Sequence, residues 1–130
     1  PDMKYEGGNF MTNGKGLCIA TKGAVWNNLP VQEKEVTKIF RDYLGCEKTI
    51  YLKPLAGEGT THIDMFAKMM DETTVIVAKY DYQQDCVNGM LLDENAALLE
   101  NTTTVGGKNL RVLRIPMPNN ADGVWRTYTN

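Results

Sequence analysis

The order of predicted secondary-structure elements occurs twice along this chain, and this repetition restricts the possible folds more than any other feature of the sequence. In the first copy, the tight-turn sequence Gly14-Lys15-Gly16 joins two short β-prone segments into a predicted hairpin. An amphipathic helix follows and stops at Gly45, and the last strand stops at Pro54. These elements are predicted at residues 10–13, 17–21, 31–44 and 49–53.

The same order of elements returns roughly 55–60 residues further along the chain. Asp71 and Glu72 form the predicted turn between its first two strands, and Asp85 is placed to cap its helix. The strands are predicted at residues 62–69, 75–80 and 110–115, and the helix carries its apolar residues between positions 90 and 99. Two units of strand, strand, helix and strand predict a mixed α/β (α+β) fold.

Two such units would leave open sheet edges, because repeats of this kind bury a continuous core only when several copies pack together. The opening Pro1-Asp2-Met3 also resembles the interior of a longer chain. We therefore expect a partial domain, with units at residues 6–54 and 62–116 and the start of a further strand at residues 124–130. The rest of the parent chain is then its first expected partner.

Composition and charge argue against several functional classes. The net charge is −2 and the pI is about 5.4, so the basic surface of a nucleic-acid-binding or membrane-surface protein is not expected. No apolar run approaches the ~18 residues that a membrane-spanning helix needs. No signal peptide is recognisable either, yet a secreted and a cytoplasmic location both stay open.

Three widely spaced cysteines, Cys18, Cys46 and Cys86, are interpreted as structural thiols. None lies in a C-x-x-C pair, and the chain has a single histidine, so a zinc site is not expected. We predict that the protein works without a metal or cofactor.

Two short motifs are candidates for chemistry. Glu6-Gly7-Gly8-Asn9 pairs two glycines, which allow close approach of the backbone to a ligand, with two polar side chains. In His62-Ile63-Asp64, a strand would place the imidazole and the carboxylate on one face and Ile63 on the other. Histidine is the usual proton carrier near neutral pH, and a neighbouring acid orients it. Taken alone, the first motif is better explained as an ordinary turn and the second as a structural histidine.

Taken together and in order, the motifs resemble bacterial peptidylarginine deiminases and the related agmatine deiminases. The similarity covers essentially the whole chain, and the ordered set is far more specific than any single motif. The matching segments are Glu6-Gly-Gly-Asn-Phe-Met-Thr-Asn-Gly14, Asp42-Tyr-Leu-Gly45, Thr61-His-Ile-Asp64 and Tyr128-Thr-Asn130. Members of that superfamily have the pentein fold, in which five strand-strand-helix-strand units surround a central active site. The resemblance implies about two of those five units.

The resemblance also implies roles for individual residues. His62 would be the catalytic general acid and base, and Asp64 one of two carboxylates that bind the substrate guanidinium. Gly7, Gly8, Asn9 and Asn130 would contribute to substrate binding, as would Glu6, which matches a pocket acid of the agmatine type. The second carboxylate and the nucleophilic cysteine belong to family segments with no counterpart here. None of the three cysteines inherits the nucleophile's role, so these 130 residues alone are expected to be inactive.

The implied reaction converts a guanidino group to a ureido group and ammonia through a covalent cysteine intermediate. Peptidylarginine, giving peptidylcitrulline, is the favoured substrate. Agmatine, giving N-carbamoylputrescine for putrescine biosynthesis, is the alternative. A non-catalytic binding module with the pentein architecture is a third interpretation. The expected partner is accordingly an arginine-containing peptide or a small guanidino compound.

Overall fold

The computed structural model describes residues 3–130 and shows two small sheets with helices packed against them. The strands are β1 (Met11–Thr12), β2 (Leu17–Thr21), β3 (Lys48–Leu52), β4 (Ala67–Met69), β5 (Thr74–Lys79) and β6 (Arg111–Pro116). The helices are α1 (Gly23–Trp26), α2 (Glu33–Leu44) and α3 (Cys86–Glu100), and two 3-10 turns span Gly7–Asn9 and Ile63–Met65.

Each sheet has the same internal arrangement. The first has the order β1-β2-β3, with β1 antiparallel and β3 parallel to the central strand β2. The second has the order β4-β5-β6, again with one antiparallel and one parallel pair. The predicted mixed α/β fold with a repeated unit is confirmed, and the sheets fall within residues 6–54 and 62–116. The larger domain to which these units were assigned stays a prediction.

Local sequence signals set the ends of the helices. Gln32 and Glu35 form a reciprocal capping box, so α2 begins two residues after the position predicted from its apolar spacing. Gly45 ends α2 with a φ of 72°, a left-handed conformation that glycine adopts without steric cost. Asp85 caps α3, and its carboxylate accepts a hydrogen bond from the Asn88 backbone N–H at 2.9 Å.

One apolar core joins the two units. It combines residues of the first sheet with residues of the second sheet and of α3, among them Leu17, Ile19, Leu52, Val75, Val77 and Leu92. A second cluster, centred on Phe40 and Val36, packs α2 against the other face of the first sheet. Since the first cluster draws on both sheets, the position of one unit depends on the other.

The predicted strand at residues 62–69 is wrong in its first half. Ile63 and Phe66 are both fully buried, and this three-residue spacing suits a 3-10 turn rather than the alternation of a strand. Only Ala67–Met69 pairs with β5. His62 therefore precedes a tight turn instead of opening a strand.

The strand predicted at residues 124–130 is also absent from the structure. In and around this segment, side chains form hydrogen bonds with neighbouring groups in place of the inter-strand backbone hydrogen bonds of a sheet. Arg126 binds the Asp122 carboxylate at 2.7 Å, and the Thr129 backbone N–H donates to the Thr127 hydroxyl at 2.9 Å. The short helix α1 was not predicted, because four residues are too few to show an apolar period. No helix of the described part of the chain is long and apolar enough to cross a membrane.

A disulfide joins Cys18 of β2 to Cys46, just after the end of α2, with the two Cα atoms 5.6 Å apart. The interpretation of all three cysteines as thiols is therefore wrong for two of them. The spacing of 28 residues carries no local signal, and the pair forms because α2 returns the chain to the sheet. Cys86 is a free, exposed thiol at the start of α3.

Removing this disulfide should destabilise the chain. A closed loop of 28 residues restricts the unfolded chain, so Cys18→Ala/Cys46→Ala should lower the free energy of unfolding by about 3–4 kcal/mol. Urea unfolding under non-reducing conditions measures this change. Cys86→Ala is the matched control and should leave the midpoint unchanged. Equal stability of the double variant and the wild type would show that the bond is not formed.

Candidate functional site

The two 3-10 turns meet at the junction of the repeated units, and Gly8 is the closest point of contact. A Cβ atom at position 8 would lie 2.9 Å from His62 Cε1 and 3.0 Å from an Asp64 carboxylate oxygen. Real side chains do not tolerate such distances, so this approach requires glycine. At Gly7, by contrast, a Cβ would meet no atom within 4 Å.

His62 and Asp64 project to the same side of the chain. Their Nδ1 and Oδ1 atoms are 3.9 Å apart, and Ile63 between them is fully buried in the core. The predicted juxtaposition is therefore present although the backbone is a 3-10 turn and not a strand. Both side chains are mostly buried, which strengthens the electrostatic interaction between a carboxylate and a protonated imidazole.

Glu6 contacts the other nitrogen of the imidazole. Its carboxylate forms a hydrogen bond with His62 Nε2 across 56 residues of sequence. A carboxylate only accepts hydrogen bonds, so the ring donates from Nε2. The His62 ring thus lies between two acids, and this geometry can hold it in one orientation and keep it ready to exchange a proton.

One oxygen of Asp64, Oδ1, is buried and accepts no hydrogen bond from the described residues, although His62 Nδ1 lies 3.9 Å away. The backbone of Asp64 is fixed nearby, since its carbonyl accepts a hydrogen bond from the Thr129 hydroxyl at 2.7 Å. A buried carboxylate oxygen without a donor is costly, and it suits a cationic ligand that brings N–H groups. A guanidinium has five such donors in a planar fork.

Two cavities border this cluster. A cavity of about 360 Å³ is bordered by Asp64 and Lys68 together with Gly7, Phe10, Met11, Thr12 and Met69. A second cavity of about 290 Å³ is bordered by His62, Glu6 and Lys4 and by residues of α1. The first cavity, with an acid beside apolar side chains, can accept a flat cation and an aliphatic chain.

Asn9 has a structural role in this arrangement. It is buried, and its side-chain oxygen accepts a hydrogen bond from the Thr21 backbone N–H at 2.8 Å. The Tyr5 hydroxyl donates to the Asn9 carbonyl at 2.9 Å, and burial raises the pKa of the Tyr5 phenol, so the group stays a neutral donor. Asn9 also borders the His62 cavity, and its predicted contact with substrate stays a prediction.

Asn130 is not brought into the cluster by any observed contact. The residue is exposed, and it forms no hydrogen bond to the rest of the described chain. The neighbouring Thr129 is the residue that reaches Asp64. The role of Asn130 in substrate binding therefore rests on the resemblance alone.

Two residues of this region were not predicted from the sequence. Lys68 borders the Asp64 cavity, and only its place after the His-x-Asp motif in β4 could have suggested it. Thr21 was treated as the end of a strand, yet its hydroxyl donates to the Thr61 carbonyl, next to His62. In residues 3–130 no three His, Cys, Asp or Glu side chains are grouped as metal ligands.

Known proteins resemble this chain in sequence and in fold. An agmatine deiminase of Pseudomonas aeruginosa is 30% identical over 122 residues, covering 90% of this chain and 33% of that protein. The chain thus spans about a third of the length of the curated relatives it matches.

Solved structures reproduce the architecture. Agmatine deiminase of Enterococcus faecalis superimposes with a TM-score of 0.81 and 24% identity, over 90% of this chain and 33% of that one. A Porphyromonas gingivalis protein solved as a candidate arginine deiminase gives a TM-score of 0.85 and 24% identity, over 98% of this chain and 40% of that one. The fold is therefore that of the pentein-type deiminases.

The whole chain, residues 1–130, matches the Porphyromonas-type peptidyl-arginine deiminase family. It belongs to that family, and so to a family of hydrolases. The resemblance noted from the ordered motifs is confirmed by this match.

The contact at Gly8 can be tested without an activity assay. Gly8→Ala should displace the His62 ring and destabilise the fold by about 1–3 kcal/mol, because the new methyl group overlaps the imidazole and the carboxylate. His62 is the only histidine of the chain, so its imidazole proton resonance reports the displacement directly. Gly7→Ala is the matched control. An unchanged resonance in Gly8→Ala would show that the two turns are not in contact.

Proposed function

We propose that this chain supplies the general acid–base and one guanidinium-binding carboxylate of an enzyme that hydrolyses a guanidino group. The observation that carries this proposal is the His62 imidazole between Glu6 and Asp64, with a buried Asp64 oxygen that accepts no hydrogen bond from residues 3–130. A guanidinium donates the hydrogen bonds that this oxygen lacks. Membership of a deiminase family supports the same assignment.

The proposed reaction has two halves. A thiolate from outside these residues attacks the guanidinium carbon, and the protonated His62 transfers its proton to the departing nitrogen, so that ammonia leaves. The resulting thiouronium remains bound to the sulfur. His62 then takes a proton from water and the hydroxide adds to the same carbon. As the carbon–sulfur bond breaks, the added hydroxyl group releases its own proton to solvent. The products are a ureido compound and the free thiolate.

Each acid beside the imidazole has a separate task in this scheme. Asp64 binds the guanidinium through charge-assisted hydrogen bonds and orients its carbon toward the nucleophile. Glu6 accepts a hydrogen bond from Nε2, which fixes the plane of the ring. Neither Cys18 nor Cys46 can be the thiolate, since they are joined to each other.

Lys68 favours peptidylarginine over agmatine as the substrate. Agmatine carries an ammonium at the end opposite its guanidinium, whereas an arginine side chain in a peptide carries none. Lys68 borders the Asp64 cavity, and its ammonium forms no ion pair with another described residue. The Lys68 ammonium would repel the second cation of agmatine, and it would tolerate a neutral or anionic group at that end of the substrate.

Loss of His62 should abolish turnover. In the full-length enzyme we expect His62→Ala to lower kcat by about 10²–10⁴-fold, as for removal of a general acid–base. Asp64→Asn should raise KM and lower kcat, because both binding and orientation of the guanidinium weaken. Ammonia and ureido-product assays measure both effects.

Glu72→Gln, at an exposed turn acid, is the control and should leave both constants unchanged. Near-normal activity of either site variant would remove the role given to that residue. An active wild type excludes the non-catalytic binding module. Binding of arginine peptides without turnover would favour that module instead.

Substrate preference can be tested at Lys68. Lys68→Met should raise kcat/KM for agmatine relative to a peptidylarginine substrate by about twofold to fivefold, the range for an exposed charge. Lys4→Met is the matched control, because Lys4 is also exposed but borders the cavity that lacks Asp64. A wild type that prefers agmatine, or an unchanged ratio in Lys68→Met, would contradict this assignment.

A further inference from the structure

Thr61, the residue immediately before His62, has an unusual backbone conformation. Its φ is +61°, and across residues 3–130 no other non-glycine residue has a positive φ. A β-branched side chain makes this left-handed conformation especially unfavourable. Such strain persists only where surrounding contacts hold it in place, and it occurs most often at functional sites.

The contact that holds Thr61 comes from the end of β2. The Thr21 hydroxyl donates a hydrogen bond of 2.6 Å to the Thr61 carbonyl, which belongs to the peptide bond joining Thr61 to His62. The Gly23 backbone N–H donates to the same hydroxyl oxygen at 3.1 Å. That donation leaves the hydroxyl proton directed at Thr61.

The surroundings give this hydroxyl little freedom. Thr21 is 0% exposed, and its own N–H is bound by the side chain of Asn9, in the turn that contacts His62. Gly23 has no side chain, and a Cβ there would overlap that of Thr61. The hydrogen bond therefore links the turn at Gly8, the strand β2 and the peptide of His62.

We infer that Thr21 is a positioning residue for His62: its hydroxyl holds the strained Thr61–His62 peptide and so aims the imidazole between Glu6 and Asp64. This inference rests on the proposed role of His62 as acid and base. Without the hydroxyl, Thr61 can relax toward negative φ, which rotates the following peptide and turns the ring away from Asp64.

The test compares variants at position 21 in the full-length enzyme. Thr21→Val keeps the shape of the side chain but removes the hydroxyl, and kcat should fall about 10- to 100-fold with little change in KM. Thr21→Ser keeps the hydroxyl and should restore most of the lost rate. A purely structural role would lower the unfolding temperature without this selective effect on kcat.

A second variant tests the strain itself. Glycine adopts a φ of +61° freely, so Thr61→Gly should remove the need for the hydroxyl. The loss of kcat caused by Thr21→Val should then be several-fold smaller in the Thr61→Gly background than in the wild type, a positive coupling in a double-mutant cycle. Equal losses in the two backgrounds, or failure of Thr21→Ser to restore the rate, would overturn the inference.

Different results would refute the positioning role of Thr21 and the proposed function. In the 130-residue chain, the single imidazole resonance of His62 reports its environment whether or not the enzyme deiminates anything. Thr21→Val should shift that resonance and Thr21→Ser should not. An inactive full-length enzyme that shows this pattern would refute the hydrolase but keep the positioning role. An active enzyme without the shift would refute the positioning role alone.

Discussion

The candidate site depends on one close contact, that of the Gly8 backbone with His62 and Asp64. It brings together two turns from different repeated units, and it exists because glycine has no side chain to separate them. The apolar core shared by the two sheets holds the units in the positions that this contact needs. The site is therefore a property of the interface between units, and neither unit contains it alone.

Several buried polar side-chain atoms have no hydrogen-bond partner within residues 3–130. The hydroxyl of Tyr80 lies unpaired in the core, and burial raises the pKa of Tyr80 to about 12, so it stays neutral. Glu58 pairs one carboxylate oxygen with Thr60 and leaves the other unpaired. Tyr80 borders a separate cavity of about 720 Å³, whereas Asp64 borders the cavity beside Gly7 and places an acidic acceptor there. An unpaired buried acceptor costs about 1–3 kcal/mol, and a bound guanidinium would remove that cost.

Local patterns were sufficient to predict most of the secondary structure. The hairpin turn at Gly14-Lys15-Gly16, the stop at Gly45 and the cap at Asp85 each depend on residues close in sequence. β2 was predicted with its observed bounds, because it is an uninterrupted apolar run. The strand prediction for residues 62–69 was wrong in its first half because the buried residues Ile63 and Phe66 are spaced three apart, as in a 3-10 turn. So short a segment does not distinguish this spacing from the alternation of a strand.

The features that sequence patterns did not reveal are contacts between distant residues. The Glu6–His62 contact joins positions 56 residues apart, and the Cys18–Cys46 bond joins positions 28 apart. Neither contact can be predicted from the spacing of its two residues along the chain, because each depends on how the strands pair. The ordered motifs did identify the family, since a motif records which residues matter even where their contacts are unknown.

The strand β2 connects the stability of the first unit with the geometry of the site. Cys18 anchors the end of α2 to it, Ile19 lies in the core shared by both sheets, and Thr21 holds the peptide before His62. These residues lie within five positions of one strand, whose parallel pairing with β3 leaves it little room to shift. A displacement of α2 that pulls on the disulfide would move β2 and, through Thr21, the imidazole of His62. The strain at Thr61 can therefore be maintained only while the first unit is fully folded.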